Sequence, residues 1–252
     1  MIKETVNGTL VLKFDLLENR RGAACAVSTK ISAAGELDLG VNGGLAPDIR
    51  RRNENIFCSA LGADPSRLCR VRQVHGANVA VIAEPGLFSG DADGMMTNVA
   101  GIPLMVLSAD CGVSCFYDEK HGAVAVMHSG WRGAFLNIYR SAAEAMYINY
   151  GTLPGDITAC AGPMISRKNY EVGAEFLEKL EHLYPGKSAE CVSVVGGRYY
   201  FSLRALLKIQ LRALGIDRYE FMPLCTYDEK ELFFSWRRAK DKGRFGLMAV
   251  LK

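Results

Sequence analysis

The chain has 252 residues, 49% of them hydrophobic and 23% charged, and a formal net charge of +3. A chain of this length can bury a core without staples, and its charge is too small to argue for nucleic acid or a membrane surface as a partner. No stretch supplies the ~18 uninterrupted apolar residues of a membrane span. The N-terminal Met1-Ile2-Lys3-Glu4-Thr5 has no apolar signal core, so a cytoplasmic protein is expected. There the eight cysteines, irregularly spaced and without a CxxC pair, read as reduced thiols rather than a disulfide framework or a zinc ribbon.

Thr9 to Leu16 and Ala23 to Ser28 read as strands, and 35–46, rich in Gly and Asn, as a loop. A helix is expected from Pro47-Asp48, where proline costs no hydrogen bond, through Leu61, with Gly62 as its stop. Arg50-Arg51-Arg52 within it reads as a solvated face. Leu68 to His75 alternates apolar and polar residues, the pattern of a strand, and Val79 to Ile82 is the next one. Ser89 to Gly94 is a polar loop. Pro103 to Leu107, Val113 to Tyr117 and Ala123 to Met127 are apolar throughout, as expected of strands covered on both faces. Ala134 to Tyr150 carries Phe135, Ile138, Ala142, Ala145 and Met146 on one helical face and stops at Gly151. Ile157 to Ala161 reads as a strand, and Val172 to Leu183 and Leu203 to Leu214 as helices. Tyr219 to Met222, Leu232 to Ser235 and Gly246 to Leu251 read as late strands. There is no internal repeat, low-complexity linker or composition shift. The pattern predicts an α/β (mixed α+β) fold, mixed β-sheets flanked by helices, with residues 1–252 as a single domain.

His75, Cys111 and His128 share a position. Each sits where an apolar strand gives way to a glycine-containing turn: Gln73-Val74-His75-Gly76, Ala109-Asp110-Cys111-Gly112 and His128-Ser129-Gly130. Cys111 and His128 also bracket a strand–turn–strand, which can bring both to one edge. Taken singly, a histidine at a strand end is ordinarily a hydrogen-bonded structural residue, and a cysteine beside strands a core residue. Taken together, one thiolate and two imidazoles are a catalytic zinc set, with three protein ligands and an open position. Cys115 is the nearest spare ligand, but four positions along a strand would put it about 13 Å from Cys111. Arg132 precedes a helix and reads either as a clamp on phosphate or carboxylate or as an ion-pair partner covering Trp131. Asp110 either holds an imidazole tautomer or caps a turn. Asp91 and Asp93 are general-base or orienting candidates, or simply form a turn.

Several motifs then occur in order: Gln-Val-His-Gly at 73–76, Asp-Ala-Asp-Gly at 91–94, Ala-Asp-Cys at 109–111 and His-Ser-Gly-Trp-Arg-Gly at 128–133. Ala-Gly-Pro-Met-Ile at 161–165, Tyr-Glu-Val-Gly at 170–173, Cys-Thr-Tyr at 225–227 and Phe-Phe-Ser-Trp-Arg-Arg at 233–238 follow. Together they resemble the laccase-domain family, also called the multicopper polyphenol oxidase or YfiH-like family, over nearly the whole chain. The resemblance implies a purine nucleoside phosphorylase with adenosine deaminase activity, and a zinc site at His75, Cys111 and His128. Its small-molecule partners would be purine nucleosides and phosphate. Three features depart from the family's pattern: Val113 stands where Pro is common, Ser129 where Ala is frequent, and the 38–44 loop lacks the usual His. If that loop touches substrate, specificity shifts with it.

On this reading zinc chemistry lowers the pKa of water from 15.7 to about 7, which suits hydroxide attack on C6 of adenosine, with Asp93 or Asp110 as acid/base candidates. Phosphate would attack C1′ of adenosine, inosine or 5′-methylthioadenosine, with Arg132 as its partner. A second reading makes Cys111 a nucleophile and His75 or His128 its base, in an amide hydrolase that edits peptidoglycan precursors. Copper-dependent phenol oxidation would need more ligands than four histidines, at 75, 121, 128 and 182, supply. A closed structural zinc site would need a fourth protein ligand.

Overall fold

The computed structural model describes residues 1–18, 20–41, 44–86 and 90–252. Of the sequence-predicted loops, Asn42, Gly43 and Ser89 lie outside these residues. β1 (Ile2–Val6) and β2 (Thr9–Lys13) pair antiparallel across Asn7-Gly8, both at positive φ. Asn-Gly is the strongest short-range hairpin signal, and it makes a strand of 2–6 that apolar patterning alone does not predict. The strand predicted over 9–16 stops at Lys13, and a short helix α1 (Asp15–Glu18) takes over. β3 (Ala23–Ser28), the two-residue β4 (Ile31–Ser32) and β5 (Gly35–Glu36), and α2 (Pro47–Ala60) follow.

Leu68 to His75 is not a strand. Only isolated bridges form, Cys69 to Leu104 and Arg72 to Asp91. The Gln73 side chain substitutes for backbone: Nε2 donates to the Leu107 carbonyl and Oε1 accepts from the Leu107 N–H, each at 2.8 Å. The segment thus covers a sheet edge without joining its ladder. Next come β6 (Val79–Val81), β7 (Gly94–Thr97), β8 (Leu104–Ser108), β9 (Gly112–Asp118) and β10 (Ala123–Ser129). The helix predicted over 134–150 is two helices, α3 (Trp131–Phe135) and α4 (Ile138–Tyr150). They separate where Asn137 turns to φ 59 and its side chain caps α4 at the Arg140 N–H. An apolar periodicity does not register one left-handed residue.

β11 (Ile157–Ala161), β12 (Glu171–Val172), α5 (Ala174–Leu183), α6 (Ser188–Cys191), β13 (Val192–Val195), β14 (Arg198–Phe201) and α7 (Leu203–Leu214) lead to β15 (Arg218–Phe221). The helix predicted from Val172 begins at Ala174 because residues 171–172 pair with β14. Leu232 to Ser235, predicted as a strand, is a loop: Leu232 and Phe233 N–H both donate to the Glu229 carbonyl. α8 (Trp236–Ala239) and β16 (Phe245–Leu251) end the chain's elements.

Two sheets dominate, one ordered β1-β2-β3-β16-β8 and the other β15-β11-β9-β10-β7-β6. They pack face to face, joining Val27, Val106 and Leu247 of the first to Val113, Cys115 and Val126 of the second. Alternate residues point outward. Ala26, Met105 and Met248 meet Phe57, Cys58 and Leu61 around α2. Phe116, Ala125 and Met127 meet Ile138, Ala142, Leu207 and Leu211 from α4 and α7. Each central strand is covered on both faces, which is why its sequence is apolar without alternation. Each fully buried Val, Leu or Phe contributes roughly 1.5–3 kcal/mol. No helix among the described residues is long and apolar enough to cross a membrane.

Candidate functional site

β9 and β10 form an antiparallel hairpin with Gly112 opposite Ser129 and Val113 opposite His128. Cys111, one residue before Gly112, therefore meets His128 at the hairpin's open end. His75 reaches the same place from the edge-covering segment, held at φ 62. The candidate ligand atoms of His75, Cys111 and His128 all lie within 4.8 Å of one another. The two imidazoles stand edge to face, with centroids 4.9 Å apart.

Asp93, fully buried, holds this arrangement together. Its Oδ2 accepts the N–H groups of Val74 at 3.1 Å and Gly76 at 2.6 Å. Its Oδ1 accepts the His75 N–H at 3.0 Å and bonds His128 Nδ1 at 2.8 Å. The Asp93 carbonyl also accepts the His128 N–H at 2.7 Å. One carboxylate thus fixes the left-handed His75 turn and the His128 tautomer, leaving His128 Nε2 for the thiolate or a metal. Burial works to raise the Asp93 carboxyl, but His128 and the backbone N–H groups outweigh it and hold it below the usual range.

Two glycines admit the His75 loop. A Cβ on Gly130 would lie 2.7 Å from His75 Cδ2 and 3.2 Å from Cys111 Sγ, and one on Gly133 would lie 2.6 Å from the Gly76 carbonyl. Burial alone would push the Cys111 thiol up, but the charge and hydrogen bonds of His128 and His75 bring it down to about 6. Burial would lower His128, yet Cys111 and Asp93 raise it to about 9. Cys111, His128 and Asp93 therefore form a thiolate–imidazolium–carboxylate line.

Asp110 has a different role from holding an imidazole tautomer. Its carboxylate accepts from Thr226 Oγ1 at 2.7 Å, Ser235 Oγ at 3.0 Å and the Arg237 N–H at 2.7 Å. Its carbonyl takes the Ile165 N–H. It ties the later motifs at 161–165, 225–227 and 233–238 to the hairpin, while Asp93 carries the imidazole. Both carboxylates are buried and bonded, so neither stands as a free acid or base toward a ligand. Asp91 forms an exposed pair with Arg72. Arg132 is exposed and lies over the Trp131 ring, 4.4 Å from its centroid, with no carboxylate partner among the described residues. Of the ion-pair alternative read from the sequence, the cover over Trp131 is present and the acidic partner is not among the described residues.

His75, Cys111 and His128 open onto a cavity of ≈ 860 Å³. Its wall also carries Arg50, Arg70, Arg72, Lys242, Arg244 and Trp236, whereas Arg132 is not part of it. Sequence reasoning missed this cationic wall. Arg50 was expected on a solvated face, and Arg70 and Arg72 at the polar positions of the alternating segment leading to His75 were the available signal. Lys242 and Arg244 carried none, because they reach the cavity only by tertiary folding. The other two histidines lie elsewhere: His121 bonds Asp118 near the closed end of the hairpin, and His182 is on α5.

Residues 19–252 match the family described as multi-copper polyphenol oxidoreductase laccase. A purine nucleoside phosphorylase of Bacteroides thetaiotaomicron is 31% identical over 202 residues, spanning 75% of this chain and 74% of that protein. Purine nucleoside phosphorylase YfiH of Escherichia coli is 30% identical over 230 residues, spanning 89% and 92%. Among solved structures, YlmD from Geobacillus stearothermophilus aligns with a TM-score of 0.88 at 24% identity, covering 99% of this chain and 98% of that one. This likeness establishes the mixed α/β architecture.

Proposed function

The chain belongs to the multi-copper polyphenol oxidoreductase laccase family, and from that premise we propose that it is a zinc-dependent purine nucleoside phosphorylase. Its substrates on this reading are adenosine, inosine and 5′-methylthioadenosine, with adenosine deamination as a second activity. The observation that carries it is the His75–Cys111–His128 group opening onto a cation-walled cavity. The two curated relatives described above bear the name purine nucleoside phosphorylase.

The residues fit a single zinc ion. One thiolate and two imidazoles suit zinc, and Asp93 stands behind His128 in the carboxylate–histidine–metal arrangement. No fourth His, Cys, Asp or Glu joins the group among the described residues, which leaves a position open. Two histidines are too few for a multi-copper centre. When bound, zinc supplies Lewis acidity and lowers the pKa of water to about 7. The chain's own groups do the rest. Trp236, 46% exposed on the cavity wall, offers an aromatic face to a purine. The wall cations Arg50, Lys242 and Arg244 orient hydrogen phosphate, which forms a bond to the ribose C1′ as the bond from C1′ to the base N9 breaks, the proton that phosphate gives up passing to the departing base. Asp93 acts as a positioning residue.

The thiolate–imidazolium–carboxylate line also favours a second reading, a cysteine amide hydrolase with Cys111 as nucleophile and His128, which already holds its proton, as the acid that delivers it to the leaving amine. Incubation with the three nucleosides, with and without phosphate, separates the two. The expected result is base release that requires phosphate, with inosine formed from adenosine, both lost in Cys111→Ala and on chelation. Unchanged turnover in Cys111→Ala would sink the metal-centred reading. Phosphate-independent turnover that survives chelation but not thiol alkylation would favour the hydrolase.

A further inference from the structure

Among the described residues, five cationic side chains, Arg50, Arg70, Arg72, Lys242 and Arg244, line the cavity, and no Asp or Glu does. They come from three separate segments: α2, the edge-covering segment and the stretch before β16. Like charges gathered in one concave surface repel, so the arrangement costs stability unless something offsets it. Two carboxylates pair with side chains of the wall. Glu54 pairs with Arg70 Nη1 at 2.7 Å and stands 3.8 Å from Arg50 Nε, and Asp91 pairs with Arg72 Nε at 2.5 Å. Asp38 takes only the Arg244 backbone N–H, no carboxylate among the described residues pairs with the Lys242 or Arg244 side chain, and Arg50 has only the outlying contact with a Glu54 that Arg70 already holds, so three cations on the wall lack a close carboxylate of their own. Arg244 is also pre-oriented, with Nη1 donating to the Asp241 and Gly243 carbonyls at 2.9 and 2.7 Å.

One inorganic phosphate brings at most about two negative charges at neutral pH, which leaves one of these three cations without an anion. The cavity, at ≈ 860 Å³, is at the upper end of the range of roughly 300–1,000 Å³ typical of small-molecule sites. We infer that the site takes an anionic substrate: a purine nucleoside that itself carries a phosphate ester, in addition to the inorganic phosphate of phosphorolysis. Trp236 on the same wall faces the base while the cations hold the ester. The identity of the base rests on the phosphorylase reading; the demand for an anion rests on the wall alone.

The test is calorimetric binding of adenosine, adenosine 5′-monophosphate and inorganic phosphate, each alone, to the zinc-loaded full chain at low and high salt. Arg50→Gln, Lys242→Gln and their combination are compared with the wild type. Arg70 is spared, because its loss would strand the buried Glu54. The monophosphate is expected to bind at least about tenfold more tightly than adenosine at low salt, with the gap closing as salt rises. In the double variant the ratio of the two affinities falls to about one. The single variants, each with an unchanged thermal midpoint, show intermediate ratios. A wild-type ratio near one overturns the proposal, as does a ratio that both substitutions leave intact. If inorganic phosphate binding is lost in the variants while the monophosphate never exceeds adenosine, the wall serves the co-substrate alone and the proposal falls. Absence of phosphate-dependent turnover of any nucleoside would instead defeat the phosphorylase reading, and the affinity ratio would still decide the anion site.

Discussion

Asp93 spends its two oxygens on three backbone N–H groups and one imidazole. Asparagine would keep one acceptor and turn an NH2 toward N–H groups that need acceptors. Asp93→Asn is therefore expected to weaken zinc binding about 10–100-fold, read by competition with a chromophoric chelator. Gly130 makes the complementary case. Its φ of −68 and ψ of 169 suit any residue, so alanine there is a steric problem rather than a backbone one. The added Cβ would displace His75. Gly130→Ala should lower metal stoichiometry while leaving the thermal midpoint of the metal-free protein close to wild type. Equal loss of both would show that Gly130 serves folding rather than the site. The sequence offered Asp93 as an orienting carboxylate without its partners, and gave no sign of the role of Gly130. Asp-Ala-Asp-Gly reads as a turn, and nothing local says that its second aspartate spans to two other segments.

At the scale of the element, the β9–β10 hairpin sets the site at one end and carries its own clamp at the other. Asp118 Oδ1 accepts the N–H groups of Lys120 at 2.9 Å and His121 at 3.2 Å, and Oδ2 bonds His121 Nδ1 at 2.6 Å. Burial works to raise this carboxyl, but the Thr152 side chain and then the His121 ring and backbone N–H hold it below its usual range. A folded-state pKa below the unfolded value of about 3.9 contributes stability above that pH and loses it as pH falls through the depressed value. Asp118→Asn should cost roughly 1–3 kcal/mol at pH 7, and its gap from wild type should narrow as the pH falls from 5 toward 3. Urea midpoints across that range check it; a gap that widens on acidification refutes it. The hairpin itself was legible, since both strands are apolar and bracket a turn. The edge-covering segment was not, because its alternation is genuine while its pairing is made by the Gln73 side chain.

For the molecule as a whole, His75, Cys111 and His128 come from three segments that meet only in the folded state. A metal that binds them binds the native chain and not the unfolded one, and stabilises it by about 2.7 kcal/mol at a hundredfold excess over Kd. Chelation is expected to lower the thermal midpoint of wild type and to leave Cys111→Ala unaffected. An equal shift in both would place the metal elsewhere. Asp110 works at the same scale, joining the C-terminal loops to the hairpin by three hydrogen bonds.

The sequence by itself determined the apolar strands, most of the helices, the mixed α/β class and the three residues of the candidate centre. The elements follow from periodicity and turn residues, which are local, and the three residues from ligand chemistry at strand ends together with the ordered motifs of the family resemblance. Only tertiary structure decided that Asp93 rather than Asp110 holds His128, that Arg132 covers Trp131, and that Arg50, Lys242 and Arg244 share one wall. Those outcomes depend on which distant segments meet when two sheets close over a common core, and no local spacing encodes that.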